Sequence, residues 1–216
     1  WRWARKASQA ISSTEEDYLR AIAKDTWRLF EQHVGARTHH LPPDNVQTLP
    51  YTMVAERTSP TNIGLYLLAT VCAKAFGWIQ LSDCLARCEA TLDTLGRMAR
   101  LRGHFFNWYD TRDLAPLLPA YVSTVDSGNL CGHLLTVANA CDEWVQQAKV
   151  VTGADAPEGS DTARLQAIAA TCRALALEAE FGFLFDRKRR LLHIGYRVAE
   201  QELDASYYDL LASEAR

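Results

Sequence analysis

The sequence predicts an all-α protein whose antiparallel helix pairs form part of a toroid. Helical periodicity of apolar residues dominates the chain. Segments 60–76 and 127–151 are apolar on nearly every face, whereas segments 82–102 and 160–181 are amphipathic. Paired inner and outer helices produce this alternation. The polar stretches "RTSPTN" and "VDSGN" each begin an inner helix, so we expect them at one rim.

Polar residues that typically cap helices precede each of these segments. Ser13 and Glu16 have the spacing of a capping box and predict a first helix that ends near His33. Pro60 suits the first turn of the second helix. The expected N-caps are Ser13, Ser59, Ser82, and either Ser160 or Asp161.

The last quarter of the chain predicts a short β-hairpin within 183–198, around a solvated basic turn at 187–190. If the alternation continues, Ser213 is the N-cap of a third inner helix and Glu214 lies in its first turn. In the alternative interpretation, Asp204 caps a helix that runs to the end of the chain.

Bulk composition restricts the class of protein. The chain has 216 residues, 48% of them hydrophobic and 23% charged, which is typical of one globular domain. A net charge of −3 and a pI near 6.1 argue against a nucleic-acid surface. The apolar run 63–73 is too short to cross a bilayer. No signal peptide is visible and the first residue is not Met, so we expect a piece of a longer protein.

The six cysteines occur in apolar, helix-like contexts and none forms a C-x-x-C motif. A zinc ribbon or a redox motif is therefore not expected, and we expect neither a metal nor a cofactor. We interpret all six as reduced packing residues. They are Cys72, Cys84, Cys88, Cys131, Cys141 and Cys172.

Two stretches combine residues that suit a carbohydrate. "RGHFFNWYDTR" supplies aromatic faces for sugar rings next to Asp, Asn and Arg side chains that bind hydroxyl groups. "YVSTVDSGNL" places five small polar or acidic residues at the start of a helix, whereas capping needs only one. Glycoside chemistry also needs two carboxyl groups across the scissile bond. The candidates in loops are Asp44, Glu56, Asp110, Asp126 and Glu214.

Each candidate also has a purely structural interpretation. Asp126 could cap the helix that begins at Ser127, and Asp110 could form an Asx-turn. Glu56 could pair with Arg57 or another neighbour on the surface. Trp108 and Tyr109 could fix the loop to the core, and His104 could serve only as a hydrogen-bonding residue.

Five blocks of sequence resemble a known family in the right order. They are "LPPDN", "RTSPTNIGLYLL", "GHFFNWYDTRDLAPL", "PAYVSTVDSGNL" and "YYDLLASEAR", and they extend from Leu41 to Arg216. The blocks resemble the central glycoside-hydrolase-like domain of the cyclic β-1,2-glucan synthases. More loosely, they are similar to the bacterial endo-β-1,2-glucanases and to glucoamylase-like proteins.

The resemblance implies an (α/α)6 toroid that acts on linear β-1,2-glucan by transglycosylation or hydrolysis. It also implies a neighbouring glycosyltransferase domain and a phosphorylase-like domain in the same parent chain. The location it implies is the cytoplasmic side of a bacterial inner membrane. A non-catalytic glucan-binding or scaffold domain is the alternative.

By resemblance, Glu214 is the first candidate for a catalytic carboxyl group, followed by Asp126 and Asp110. Residues of the same blocks are expected to bind the substrate. They are Arg57, Asn62, His104, Asn107, Trp108, Tyr109, Arg112, Thr124, Asn129, Tyr208, Asp209 and Arg216.

The chain departs from the family pattern at two points. Glu56 stands where many relatives have His, and the sequence stops at "SEAR" where relatives continue. We therefore expect an N-terminal helical lead-in at 1–40 and a partial toroid domain at 41–216, truncated at its C-terminus. Inner helices that are apolar nearly all round would then lack neighbours, so we expect either a homodimer through the exposed apolar edge or helices repacked away from the toroid.

Overall fold

A computed structural model describes residues 11–152 and 160–208 of the chain, with side chains up to 148 in the first range. Five α-helices occur within these ranges. They are α1 (Ser13–His33), α2 (Pro60–Ala75), α3 (Leu81–Arg97), α4 (Thr124–Thr152) and α5 (Asp161–Glu178). The expectations for Asp209, Ser213, Glu214 and Arg216 lie outside the described residues.

The segments between the helices contain short antiparallel strand pairs. This corrects the all-α prediction, which placed a hairpin only near 183–198. The pairs are β1 (Val46–Gln47) with β2 (Met53–Val54), β3 (Arg57–Thr58) with β6 (Tyr109–Asp110), β4 (Arg100–Leu101) with β5 (His104–Phe105), and β8 (Phe185–Asp186) with β9 (Leu191–Leu192). Strand β10 (Gly195–Arg197) lies between β7 (Tyr121–Ser123) and β11 (Glu202–Leu203).

The helix caps confirm part of the prediction. The Ser59 and Ser160 side chains accept hydrogen bonds from backbone N–H groups in the first turns of α2 and α5. The capping box of α1 consists of Ser12 and Glu15, one residue earlier than predicted. Ser160 rather than Asp161 is thus the cap of α5.

Two other helix starts were wrong. Helix α3 begins at Leu81, before Ser82, and its N-cap Gln80 makes no side-chain capping bond. Helix α4 begins at Thr124 rather than at Ser127. Ser123 Oγ accepts a hydrogen bond from the backbone N–H of Asp126, at 3.2 Å, and acts as the cap. The carboxyl group of Asp126 is therefore not needed for capping.

The packing of the helices is compatible with the predicted alternation, and the assignment of inner and outer helices stays a prediction. Helices α2 and α4 lie side by side with their N-termini together, α3 packs against α2, and α5 packs against α4 and α3. Gly64 of α2 permits this close approach, since a Cβ there would lie 2.6 Å from Nδ1 of His133 on α4. The helices and strand pairs enclose one principal core.

Helix α1 packs against α2. Trp27 of α1 and its C-cap residue Val34 are buried with Tyr66 and Ala73 of α2. The Phe30 and Tyr66 ring centroids are 5.4 Å apart. The division at residue 40 into two domains stays a prediction.

The described C-terminal residues exclude the alternative in which Asp204 begins a helix. Tyr207 forms an isolated antiparallel bridge with His193, and Asp204 N–H donates to the Gly195 carbonyl. Segment 204–208 is therefore bonded to the β-structure beside it.

Within the described residues, no helix combines the length and the apolar character needed to span a membrane. Leu65 of α2 and Leu135 of α4 are 44% and 39% exposed on the inner helices. The homodimer through this apolar edge stays a prediction, for which light scattering after size-exclusion chromatography is the measurement.

All six cysteines lie in helices and none is bonded to another. Burial raises the pKa of Cys141 and of Cys172 to about 12, so both are protonated thiols at neutral pH.

We expect slow thiol labelling of the folded chain and six labelled thiols after denaturation without reductant. Mass spectrometry after labelling counts them. A count below six in the denatured chain would contradict reduced packing cysteines.

Candidate functional site

The β3–β6 pair separates its side chains between a rim face and a core face. Arg57 pairs with Asp110, and Thr58 pairs with Tyr109. Because successive side chains of a strand point to opposite faces, Arg57, Trp108 and Asp110 share one face. Thr58 and Tyr109 occupy the other face and are fully buried. The ribbon thus presents an arginine, an indole and a carboxylate beside the N-terminus of α2.

Asp44 is the centre of the hydrogen bonds on this rim. Its Oδ2 accepts from Nε and Nη2 of Arg57, at 3.1 and 2.9 Å, and its Oδ1 accepts from Nδ2 of Asn62 at 3.3 Å. The Arg57 guanidinium lies 4.6 Å from the centroid of the Trp108 ring. Asp44 therefore links the β3–β6 ribbon to the first turn of α2. Sequence analysis included Asp44 only among the loop acids. Its hydrogen bonds were not predicted, because Arg57 and Asn62 lie 13 and 18 residues further along the chain.

Asp126 lies in the first turn of α4 and faces α2. Its Oδ1 accepts a hydrogen bond of 2.6 Å from the Thr61 hydroxyl, which in turn accepts from Nδ2 of Asn129 at 3.2 Å. The Asp126 side chain is half-buried. Its described hydrogen-bond partners are the neutral Thr61 hydroxyl and, for the backbone, the Ser123 hydroxyl. This carboxyl group is the one best placed for chemistry among the predicted acids that the structure describes.

Asp110 is held differently from Asp126. Its carboxylate accepts hydrogen bonds from Nε and Nη2 of Arg112, the latter at 2.6 Å, and from the Arg112 backbone N–H at 2.8 Å. The Asx-turn interpretation is thereby confirmed. Arg112 also pairs with Glu56, at 3.1 Å, as the structural interpretation of Glu56 expected. The Arg112 side chain lowers the pKa of Asp110, so Asp110 is poorly suited to donate a proton.

This pair gives a testable pH dependence. Because the folded-state pKa of Asp110 is lowered, its stabilisation is complete above the unfolded pKa and is lost as pH falls through the folded value. We expect wild type to be more stable than D110N at neutral pH, and this advantage to shrink below about pH 4. Urea unfolding of both proteins from pH 3 to 7 measures it. An advantage that is constant over this range would contradict the assignment.

Two predicted substrate ligands belong to the core instead. Tyr109 is fully buried, and its hydroxyl donates to the Ala99 carbonyl at 2.6 Å while it accepts from Phe106 N–H at 2.8 Å. His104 is 1% exposed, and its Nδ1 lies 2.8 Å from Ser127 Oγ on α4. Burial also lowers the pKa of His104. Both side chains thus have a structural role in the described residues, and their contact with a substrate stays a prediction that this burial does not support.

Thr124 and Asn107 also connect elements rather than face solvent. The Thr124 hydroxyl donates to the His193 carbonyl at 2.7 Å, which ties α4 to the segment before β10. The Asn107 backbone N–H donates to the Tyr121 carbonyl at 2.7 Å. Its Oδ1 is buried and meets no hydrogen-bond donor among the described residues. Thr124 is buried, and its contact with a substrate stays a prediction.

The remaining predicted ligands are spread over the same rim. Arg57, Asn62, Trp108 and Asn129 belong to the two arrays around Asp44 and Asp126. Tyr208 N–H donates to the Leu192 carbonyl, beside the hairpin. The hydroxyl of Thr61 was missed by sequence analysis, although it lies within the quoted "RTSPTN" block. In the described ranges, no three His, Cys, Asp or Glu side chains group as a metal site.

Comparison with known proteins bears on this arrangement. No family model matches the chain. The cyclic β-(1,2)-glucan synthase NdvB of Rhizobium meliloti (strain 1021) is 34% identical over 99% of this chain. The resemblance to cyclic β-(1,2)-glucan synthase is therefore confirmed. The chain spans 11% of that synthase.

Solved structures support the fold. A protein of Bacteroides fragilis assigned as a glucoamylase has a TM-score of 0.66 at 18% identity, over 91% of this chain and 43% of its own. An endo-β-1,2-glucanase of Chitinophaga pinensis has a TM-score of 0.62 at 15% identity, over 87% and 41%. A β-1,2-glucanase of Parabacteroides distasonis has a TM-score of 0.65 at 14% identity, over 88% and 25%. At these identities the likeness concerns the fold alone.

Proposed function

We propose that this chain is a carbohydrate-active part of a cyclic β-1,2-glucan synthase and acts on linear β-1,2-glucan. The observation that carries the proposal is Asp126, which is half-buried where the two inner helices begin. The Asp44, Arg57 and Trp108 array lies at the start of α2, next to Thr61. An aromatic face, hydroxyl-binding groups and a carboxyl group at one rim suit a polysaccharide.

The proposed chemistry uses two carboxyl groups on either side of the glycosidic bond. Asp126 is one of them, and Glu214, which lies outside the described residues, is its proposed partner. Arg57, Trp108, Asn62 and Asn129 would bind the sugar rings. Asp110 would stay ionised and keep Arg112 in place rather than take part in proton transfer.

The proposal extends to the wider architecture. The two helix pairs would belong to an (α/α)6 toroid, for which the likeness to the glucanase structures is the support. The parent chain would carry a glycosyltransferase domain and a phosphorylase-like domain, and this part would lie on the cytoplasmic side of a bacterial inner membrane. The support for this is the similarity to a segment of the much longer synthase.

One assay tests the activity. The full-length protein is incubated with linear β-1,2-glucan, and with linear β-1,3-glucan as the matched control, and the products are sized by chromatography. We expect only the β-1,2-linked chains to change in length. Shorter chains alone indicate hydrolysis, and a mixture of longer and shorter chains indicates transfer. Glucan that binds without changing in length would overturn the catalytic proposal in favour of a binding domain.

A further inference from the structure

We propose that Asp44 is a positioning residue, which holds Arg57 against Trp108 and so fixes the surface on which a sugar ring stacks. The inference rests on the proposed action on glucan. Asp44 side-chain exposure is 18%, against 49% for Arg57. Asp44 therefore lies behind the arginine, and the arginine faces the solvent where a substrate would bind.

The backbone that carries Asp44 is fixed to the outer helix α3. His39 and His40 have positive φ angles of 51° and 59°, which are uncommon for residues other than glycine. Their carbonyl groups accept hydrogen bonds of 2.7 and 3.0 Å from the hydroxyls of Thr94 and Thr91, both fully buried in α3. These bonds stabilise a conformation that would otherwise be costly.

The same segment is bonded directly to the strand that carries Arg57. Leu41 is fully buried, and Asp44 N–H donates to the Arg57 carbonyl at 2.7 Å. Asp44 thus contacts both the backbone and the guanidinium of Arg57. A carboxylate held from the α3 side in this way sets the direction of the arginine side chain.

An arginine without this carboxylate would sample many rotamers, and ordering it on substrate binding would cost free energy. With Nε and Nη2 bonded to Asp44 and the guanidinium carbon 4.6 Å from the centroid of the Trp108 ring, much of that ordering is present before substrate binds. Hydroxyl oxygens of a sugar could accept hydrogen bonds from the guanidinium N–H groups that Asp44 does not use. Asp44 acts through Arg57 and contacts no substrate itself.

The test is a double-mutant cycle in the full-length protein with linear β-1,2-glucan. We expect D44N to raise KM about tenfold with kcat nearly unchanged, because a lost preorganisation weakens binding. R57Q should have a similar effect, and D44N should add little in the R57Q background. The matched control is D93N, which removes an Asp–Arg pair on the surface of α3, and we expect wild-type kinetics.

A structural role would give other results. If D44N raises KM by the same factor with and without R57Q, or leaves KM at the wild-type value, the positioning role is overturned. If D44N does not fold, R57K replaces it, since lysine keeps the charge but cannot donate to Asp44 from two nitrogens, and we expect the same tenfold rise.

A second readout separates this inference from the proposed function. The near-UV circular dichroism of Trp108 is obtained as the difference between a protein and its W108F variant. This difference should not be the same in the D44N background as in wild type, and the result does not depend on activity towards glucan. Wild type without glucan activity would overturn the proposed function alone. An unchanged Trp108 band in D44N would overturn the role of Asp44.

Discussion

Replacing Asp126 by Asn should lower the turnover of linear β-1,2-glucan by about 10²–10⁴-fold, the usual effect of losing a general acid or base. Asn has nearly the same shape as Asp and can still accept the hydrogen bond from the Thr61 hydroxyl. It can carry neither the negative charge nor the transferable proton. The substitution therefore removes the chemistry and keeps the contact between α2 and α4.

The matched control is D142N on the same helix. Asp142 pairs with Arg173 of α5 at 2.5 Å, about four turns along α4 from Asp126. We expect D142N to retain wild-type turnover, and both variants to unfold within a few degrees of wild type. Chain-length analysis of the glucan measures turnover, and thermal unfolding checks the fold. Wild-type turnover in D126N would contradict the assignment of Asp126.

The helical architecture was largely predictable because its determinants are local. Apolar residues on all faces predicted the burial of α2 and α4. Ser59 was recognised as a cap, and Ser160 was one of the two candidates for the cap of α5. The start of α4 was missed for a physical reason. Ser123, Thr124, Asp126 and Ser127 can all cap a helix, so the sequence alone does not choose between them.

The strand pairs and the rim contacts were not predictable in the same way. Strands of two or three residues are too short for an alternating pattern to be recognised. The opposite orientations of Trp108 and Tyr109 depend on the pairing of β6 with β3, about 50 residues earlier in the chain. The likeness of "NWYDT" to a sugar site therefore could not tell the residues on the face of Arg57 from the residues that face the core.

The turn between β4 and β5 determines where the segment that follows it, residues 104–110, lies. Arg102 and Gly103 both have positive φ angles, 51° and 78°, as a two-residue hairpin loop of the primed type requires. Strand β5 then places His104 in the core against Ser127, and the chain continues to Trp108 and Asp110. A Cβ atom on Gly103 would overlap the carbonyl oxygen of Glu178, where α5 ends.

We expect G103A to destabilise the protein by about 2–5 kcal/mol, from about 1–2 for a left-handed alanine and about 1–3 for the forced backbone shift. G96A is the matched control. Gly96 lies in α3, exposed to solvent and with open space around its Cβ position, so alanine there should stabilise by about 0.5–1 kcal/mol. Urea unfolding measures both. The two variants should change the free energy of unfolding in opposite directions, because only Gly103 has a left-handed conformation and a close contact with Glu178. A G103A variant as stable as wild type would contradict this explanation.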